Sequence, residues 1–132
     1  MKRTILFLCP HSAAKSVLAA AYCQRLATCY GLDWQITFAG TEPDDQIMPA
    51  VAELLQAEGL DIPHTPPQRV TPTELTAASY IISLGCDLSD LAPPNLPIET
   101  WDDIPPPSQN LLGARDLILA KVERLVDQLK AH

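Results

Sequence analysis

Apolar residues run without interruption from Ile5 to Leu8 and stop at Cys9-Pro10. A short continuous run of this kind predicts a strand over Thr4–Leu8, buried on both faces as in a parallel sheet. After a turn of small residues, Leu18, Tyr22 and Leu26, with Cys29 or Tyr30, repeat at helical spacing. They predict a helix over Ser16–Tyr30 that Gly31 stops. Trp34–Ala39 alternates and is rich in strand formers, so it reads as a second strand ending at Gly40-Thr41. Glu42–Asp45 is an acidic turn, with Asp44-Asp45 and the glutamates in general read as solvated surface. Met48–Glu58 is a second helix with Val51, Leu54 and Leu55 on its apolar stripe and Gly59 as its stop.

Asp61–Thr71 reads as an extended, proline-rich connection. Thr71-Pro72 leads into a short helix over Thr73–Ala77, with proline at the first helical position. Ser79–Leu84 is a third buried strand, and Gly85-Cys86-Asp87 turns after it. Leu96–Thr100 is a short fourth strand and Trp101–Ser108 a rigid loop. Gln109–Leu129 is a long final helix whose stripe is Leu111, Ile118, Val122, Leu125 and Leu129. Strands alternating with helices imply an α/β fold: a four-stranded parallel sheet with helices on both faces. In such sheets, sites lie beyond the carboxyl ends of the strands. Cys9, Gly40-Thr41, Cys86 and the Trp101 loop all fall there.

At 132 residues the chain is long enough for one domain over 1–132 with a real core. A net charge of −7 argues against nucleic acid and acidic membrane surfaces as partners. A local anion site remains open to it, because loop amides and one lysine dominate at short range. No apolar run has the length of a membrane span, and MKRTILFLCP lacks a secretory h-region, so the expected setting is soluble and cytoplasmic. The cysteines are Cys9, Cys23, Cys29 and Cys86. A disulfide scaffold is not expected, since three lie in or beside apolar segments. None has zinc-type spacing, so no metal and no cofactor are expected. Cys23 and Cys29 read as core residues of the first helix.

The candidate chemistry begins at Cys9. A strand, a tight loop and a helix start present a ring of N–H groups to an anion. The helix dipole, those amides and Lys15 favour the thiolate, the reactive form. Ser16 is placed to donate to the sulfur. A phosphate-like oxyanion is the natural guest. His11 reads as a loop residue rather than a general base, and His64 as structural or exposed. Cys86 reads equally as an inert thiol and as a redox partner of Cys9. Asp102 and Asp103 read first as loop caps beside Trp101 and second as general acids.

The loop Cys9-Pro10-His11-Ser12-Ala13-Ala14-Lys15-Ser16 resembles that of the low-molecular-weight protein tyrosine phosphatases and the thioredoxin-coupled arsenate reductases. Their loop is Cys, five residues, Arg, Ser, directly after the first strand. The likeness continues through AGT at 39–41, GLDIPHTPPQRVTPTEL at 59–75, SYIISLGCD at 79–87, WDDIPPPS at 101–108 and RDLILAKVERLVDQL at 115–129. It implies the fold described above. It also implies a phosphomonoesterase in which Cys9 forms a thiophosphoryl intermediate, Lys15 and the loop amides hold the oxyanion, and Asp102 or Asp103 protonates the leaving group. The departures are specific. Lys15 replaces an arginine that clamps phosphate with a planar fork. His11 and Ser12 replace a glycine and an asparagine. Ala14 replaces the second loop cysteine of the phosphatases. Pro106, followed by Pro107, occupies the position of the acid. These departures also imply an alternative, a catalytically retired domain that binds an anion or a phosphorylated protein. A further alternative is an arsenate reductase-like oxidoreductase, with Cys86 as the first resolving thiol. The second resolving cysteine would fall within Leu88–Pro94, where the chain has none.

Overall fold

The computed structural model describes residues 3–60, 67–86, 88, 90–92 and 96–130. His64, Asp87 and the prolines at 93 and 94 lie outside the described residues. Among the described residues a single parallel sheet is formed by β1 (Arg3–Leu8), β2 (Trp34–Ala39), β3 (Tyr80–Ser83) and β4 (Glu99–Thr100), in the order β2-β1-β3-β4. β1 is central. Ile5 lies opposite Ile36 on one side and Tyr80 on the other, and Leu8 opposite Ala39 and Ser83.

Strand period explains why β1 is apolar throughout. Successive side chains point to opposite faces, and here both faces are covered. Ile5 and Phe7 join one core cluster with α1 (Lys15–Cys29), α2 (Pro49–Ala57) and α4 (Leu111–Lys130). Leu6 and Leu8 join a second with Ala39, Val70 and Ile81, and with Leu75 of α3 (Pro72–Ala77). The helices therefore sit on both faces of the sheet, as the hydrophobic pattern implies. α3 begins with a reciprocal cap, in which the Thr71 side chain and Glu74 bond each other's backbone N–H.

Three expectations change. The fourth strand is Glu99–Thr100 rather than Leu96–Thr100, because β3 offers it only Ile82 and Ser83 as partners. Leu96 and Ile98 are used instead against the second core cluster. Cys23 is buried but Cys29 is exposed. Six residues separate them, which on a helix is a rotation to another face. The glutamates are not uniformly solvated surface. Tyr22 donates from its hydroxyl to Glu58 Oε2 at 2.5 Å, and Arg115 NH1 donates to Glu58 Oε1 at 2.7 Å. This triad fastens the end of α2 to α1 and α4, three elements far apart in sequence.

Burial alone would push the Glu58 carboxyl up, but the Tyr22 and Arg115 hydrogen bonds overcome it and hold the group below the ordinary glutamate range. A carboxyl with a depressed folded-state pKa adds stability above its unfolded value and loses it as pH falls through the folded one. Thermal melts of wild type and Glu58→Gln should therefore differ most at neutral pH. The difference should shrink as pH falls below about 4.3, the unfolded glutamate value. A difference independent of pH would contradict this.

Candidate active site

The strand order reverses its winding between β1 and β3, so their carboxyl ends flank the switch point where α/β folds open a crevice. Cys9 leaves the end of β1 there. Its N–H donates to Ala39 O at 3.3 Å, continuing the β1–β2 ladder by one step. The chain then turns through Pro10–Ala14 and enters α1 at Lys15, one residue before the expected start at Ser16.

The loop brings Cys9 and Ser16 together. Cys9 Sγ lies 3.1 Å from Ser16 Oγ, and Ser16 N–H donates to the sulfur at 3.4 Å. As a thiol, Cys9 donates to the hydroxyl. As a thiolate it accepts from both the hydroxyl and the amide. No side chain caps the start of α1. Its first-turn amides are thus left for the sulfur and for an anion cradled in the loop.

Three features hold the loop in shape. Ser12 takes a left-handed backbone at φ 52 and is wholly buried. That conformation costs a non-glycine residue energy, and it persists only where surroundings enforce it. Gly40 supplies the surroundings: a Cβ there would stand 2.6 Å from the carbonyl oxygens of both Cys9 and Pro10. The turn after β2 closes the other side. Glu42 N–H donates to Pro10 O at 2.7 Å, Asp44 N–H to His11 O at 2.9 Å, and Met48 N–H to Ala13 O at 2.9 Å.

His11 faces outward. Its Nδ1 is 3.1 Å from Glu42 O and 3.3 Å from Asp44 Oδ1, and its ring is exposed. It clips the loop to the acidic turn. The acidic turn is therefore structural as well as solvated. Lys15 is partly buried at the first position of α1, where its charge adds to the positive end of the helix.

Cys86 and Thr41 complete the crevice, and the sequence pattern pairs neither. Thr41 lies beside Cys86, where its side chain and backbone favour the thiolate. Ser83 Oγ ties the turn, accepting from Cys86 N–H at 3.1 Å and donating to Cys86 O at 3.3 Å. Burial pushes the Cys86 thiol up to about 11, the Cys9 charge adds to that rise, and Thr41 opposes it. Cys86 is thus within electrostatic reach of Cys9 and rests as a protonated thiol at neutral pH. The AGT motif is the signal for Thr41, but its partner becomes visible only in three dimensions.

The Trp101 loop is anchored at its two apolar positions. Trp101 packs against Phe7 with ring centroids 5.9 Å apart and donates its indole N–H to Glu99 Oε2 at 2.7 Å. Ile104 is buried in the same cluster. Asp102 and Asp103, held between these anchors, are exposed. The two carboxylates are not equivalent. Lys121 of α4 donates to Asp103 Oδ1 at 3.1 Å and holds that carboxyl below the usual range. Among the described residues no cluster of three His, Cys, Asp or Glu is arranged to hold a metal ion.

A buried sulfur beside the Ser16 hydroxyl and amide, with uncapped helix amides and a lysine, is suited to receive a tetrahedral oxyanion and attack its central atom. Related proteins share this fold. The chain is 25% identical to a thioredoxin-dependent arsenate reductase of Corynebacterium glutamicum, at a TM-score of 0.84. That match covers 98% of this chain and spans 63% of the other's length. It is 28% identical to an arsenate reductase of Archaeoglobus fulgidus, covering 97% of this chain and 99% of that one, at a TM-score of 0.72. It shares its fold with a low molecular weight phosphotyrosine phosphatase of Vibrio cholerae, at 20% identity, 97% coverage of each chain and a TM-score of 0.85. The family model for low molecular weight phosphotyrosine protein phosphatases matches residues 4–96, from β1 and the Cys9 loop to the segment before β4. On that match, which takes in most of the chain, this protein belongs to the low molecular weight phosphotyrosine protein phosphatase family.

Proposed function

We propose that residues 1–132 form one cytoplasmic phosphatase domain that hydrolyses phosphomonoesters, phosphorylated protein among them, through Cys9. The observation that carries this reading is the placement of Ser16 Oγ and Ser16 N–H 3.1 and 3.4 Å from Cys9 Sγ, at the uncapped start of α1. In the first step the Cys9 thiolate attacks phosphorus in line. An S–P bond forms, the P–O bond to the leaving group breaks, and a proton passes to the leaving oxygen. In the second step water attacks phosphorus, the S–P bond breaks and inorganic phosphate leaves. The amides of His11, Ala13, Ala14 and Lys15 and the Lys15 ammonium stabilise the equatorial oxygens.

The Lys121 ion pair favours the ionised form of Asp103 and ties it to α4, which works against its serving as the general acid. Lys15 bears a point charge where the family's arginine has a fork, so turnover is weak relative to that design. The four free cysteines fit a reducing compartment.

The test is to mix the protein with an aryl phosphate, quench in acid within the first turnovers, and map the adduct by mass spectrometry. A phosphoryl group on Cys9 is expected; turnover without one overturns the reading. Lys15→Arg separates an active enzyme from a retired binding domain. Phosphate affinity should rise about tenfold, the scale of one stronger charge-assisted contact. In an enzyme kcat/KM rises with it, whereas in a retired domain affinity rises alone.

The rise that the Cys9 charge imposes on the Cys86 thiol places the two in one electrostatic neighbourhood and favours a second reading, thiol-dependent arsenate reduction. Cys9 displaces water from arsenate, forming an S–As bond. Cys86 then attacks Cys9 Sγ, the S–As bond breaks, and its electron pair leaves with arsenite. The product disulfide needs an external dithiol to reduce it. Stoichiometric arsenite release with a Cys9–Cys86 disulfide would establish this activity, and its absence would remove it.

A further inference from the structure

The loop from Trp101 to Ser108 is fastened along its whole length. At its start Trp101 N–H donates to Ser83 O at 2.8 Å, and its indole is bonded to Glu99. Ile104 is buried in the core. At its end Pro106 O accepts from the N–H groups of Gln109 and Asn110, each at 3.0 Å. Asn110 then caps the entry of α4, accepting at Oδ1 from Gly113 N–H at 2.9 Å. Prolines at 105–107 remove backbone freedom between these ties. Across the loop, Lys121 of α4 holds Asp103 Oδ1 at 3.1 Å. Bringing Asp103 elsewhere means breaking that pair and moving a segment tied at both ends.

A carboxyl that gives up a proton near neutral pH is kept protonated by burial or by a neighbouring anion, and it must reach the departing oxygen. Asp103 is paired with a cation instead, and Asp102 is open to solvent on the same fastened segment. The Cys9 loop, by contrast, supplies charge stabilisation through its amides and Lys15. We propose that the leaving group departs from this site without a proton from the Trp101 loop, so that the preferred substrates are acyl phosphates. This deepens the phosphatase reading and rests on it. An acyl phosphate releases a carboxylate, a group of pKa about 4, whereas tyrosine phosphate must release a phenolate of pKa about 10. A protein aspartyl phosphate belongs to the same class. The Cys9 thiolate attacks phosphorus, the S–P bond forms, and the P–O bond breaks with its electron pair leaving on the carboxylate. Water then attacks phosphorus, the S–P bond breaks, and the thiolate and inorganic phosphate are released. No step of this sequence needs a proton donated to the leaving oxygen.

The test measures kcat/KM of the full-length protein for acetyl phosphate and for a series of phenyl phosphates of graded phenol acidity. This ratio reports the steps up to loss of the leaving group. It should fall steeply as the phenol becomes less acidic. From acetyl phosphate to phenyl phosphate the fall should be about 10²–10⁴, the usual contribution of a general acid. A double variant, Asp102→Asn with Asp103→Asn, changes two exposed side chains and should give the same slope across the series. A flat series, equal kcat/KM for acetyl and phenyl phosphate, or a slope that steepens in the double variant would each overturn the proposal. Failure of the phosphatase reading looks different: the wild-type protein then turns over every one of these compounds no faster than Cys9→Ser does.

Discussion

Cys9→Ser is expected to abolish phosphomonoester turnover, with a fall on the order of 10⁶, the scale set by removal of a covalent nucleophile. The reason lies in the charge the loop is built to hold. A sulfur anion accepts from Ser16 Oγ and from Ser16 N–H. A serine hydroxyl in the same place is far more weakly acidic and stays neutral. It would fill the site without becoming a comparable nucleophile. Packing is nearly conserved, since Cys9 is a small buried residue, so the melting temperature should change little. Binding of inorganic phosphate should persist, because it uses the loop amides and Lys15. Initial rates with an aryl phosphate, isothermal titration with phosphate and a thermal melt read the three quantities separately. Turnover that survives in Cys9→Ser, with the fold intact, would show that the chemistry resides elsewhere.

Gly40→Ala should unfold or severely weaken the protein, by at least about 3 kcal/mol, the upper range for overpacking a tight core. The added methyl would meet two backbone carbonyls at 2.6 Å and Ser12 Cβ at 3.0 Å. A flexible side chain could swing away, but these atoms cannot. Pro10 O is committed to Glu42 N–H, and Cys9 O accepts from Ser12 N–H at 3.3 Å. Gly40 is itself pinned from its other side, donating to Gln68 O and accepting from Val70 N–H, each at 2.9 Å. The displaced partner must therefore be the Cys9 loop. Urea denaturation should show a lower midpoint, and whatever folded protein remains should bind phosphate poorly. A variant with the wild-type midpoint and phosphate affinity would mean that loop and turn are more compliant than these distances allow.

The asymmetry between Asp102 and Asp103 changes how the altered acid loop is understood. Three prolines at 105–107 occupy the stretch where the family acid falls. The neighbouring carboxylates are adjacent in sequence, yet only Asp103 is paired, with a lysine 18 positions further on in α4. Pro10, His11 and the acidic turn offer a similar lesson. Asp44-Asp45 reads as solvated charge in sequence, yet the turn supplies two of the amides that brace the loop.

Local patterning was enough for the layers of this fold. Continuous apolar runs at Thr4–Leu8 and Ser79–Leu84 mark strands covered on both sides, because hydrophobic burial and strand period are read one residue at a time. The loop at Cys9–Ser16 was equally legible, since its chemistry lies within eight consecutive residues. Pairings between distant segments were not. The close approach of Gly40 to Pro10 and the Tyr22–Glu58–Arg115 triad join elements separated by intervening strands or helices, as does the reach from Cys9 to Cys86, and the Lys121–Asp103 pair joins a loop to the helix that follows it. No spacing rule encodes such contacts, because they depend on strand order, register and helix rotation together. Cys23 and Cys29 look alike in the sequence, and only the angle around α1 sends one into the core and the other into solvent.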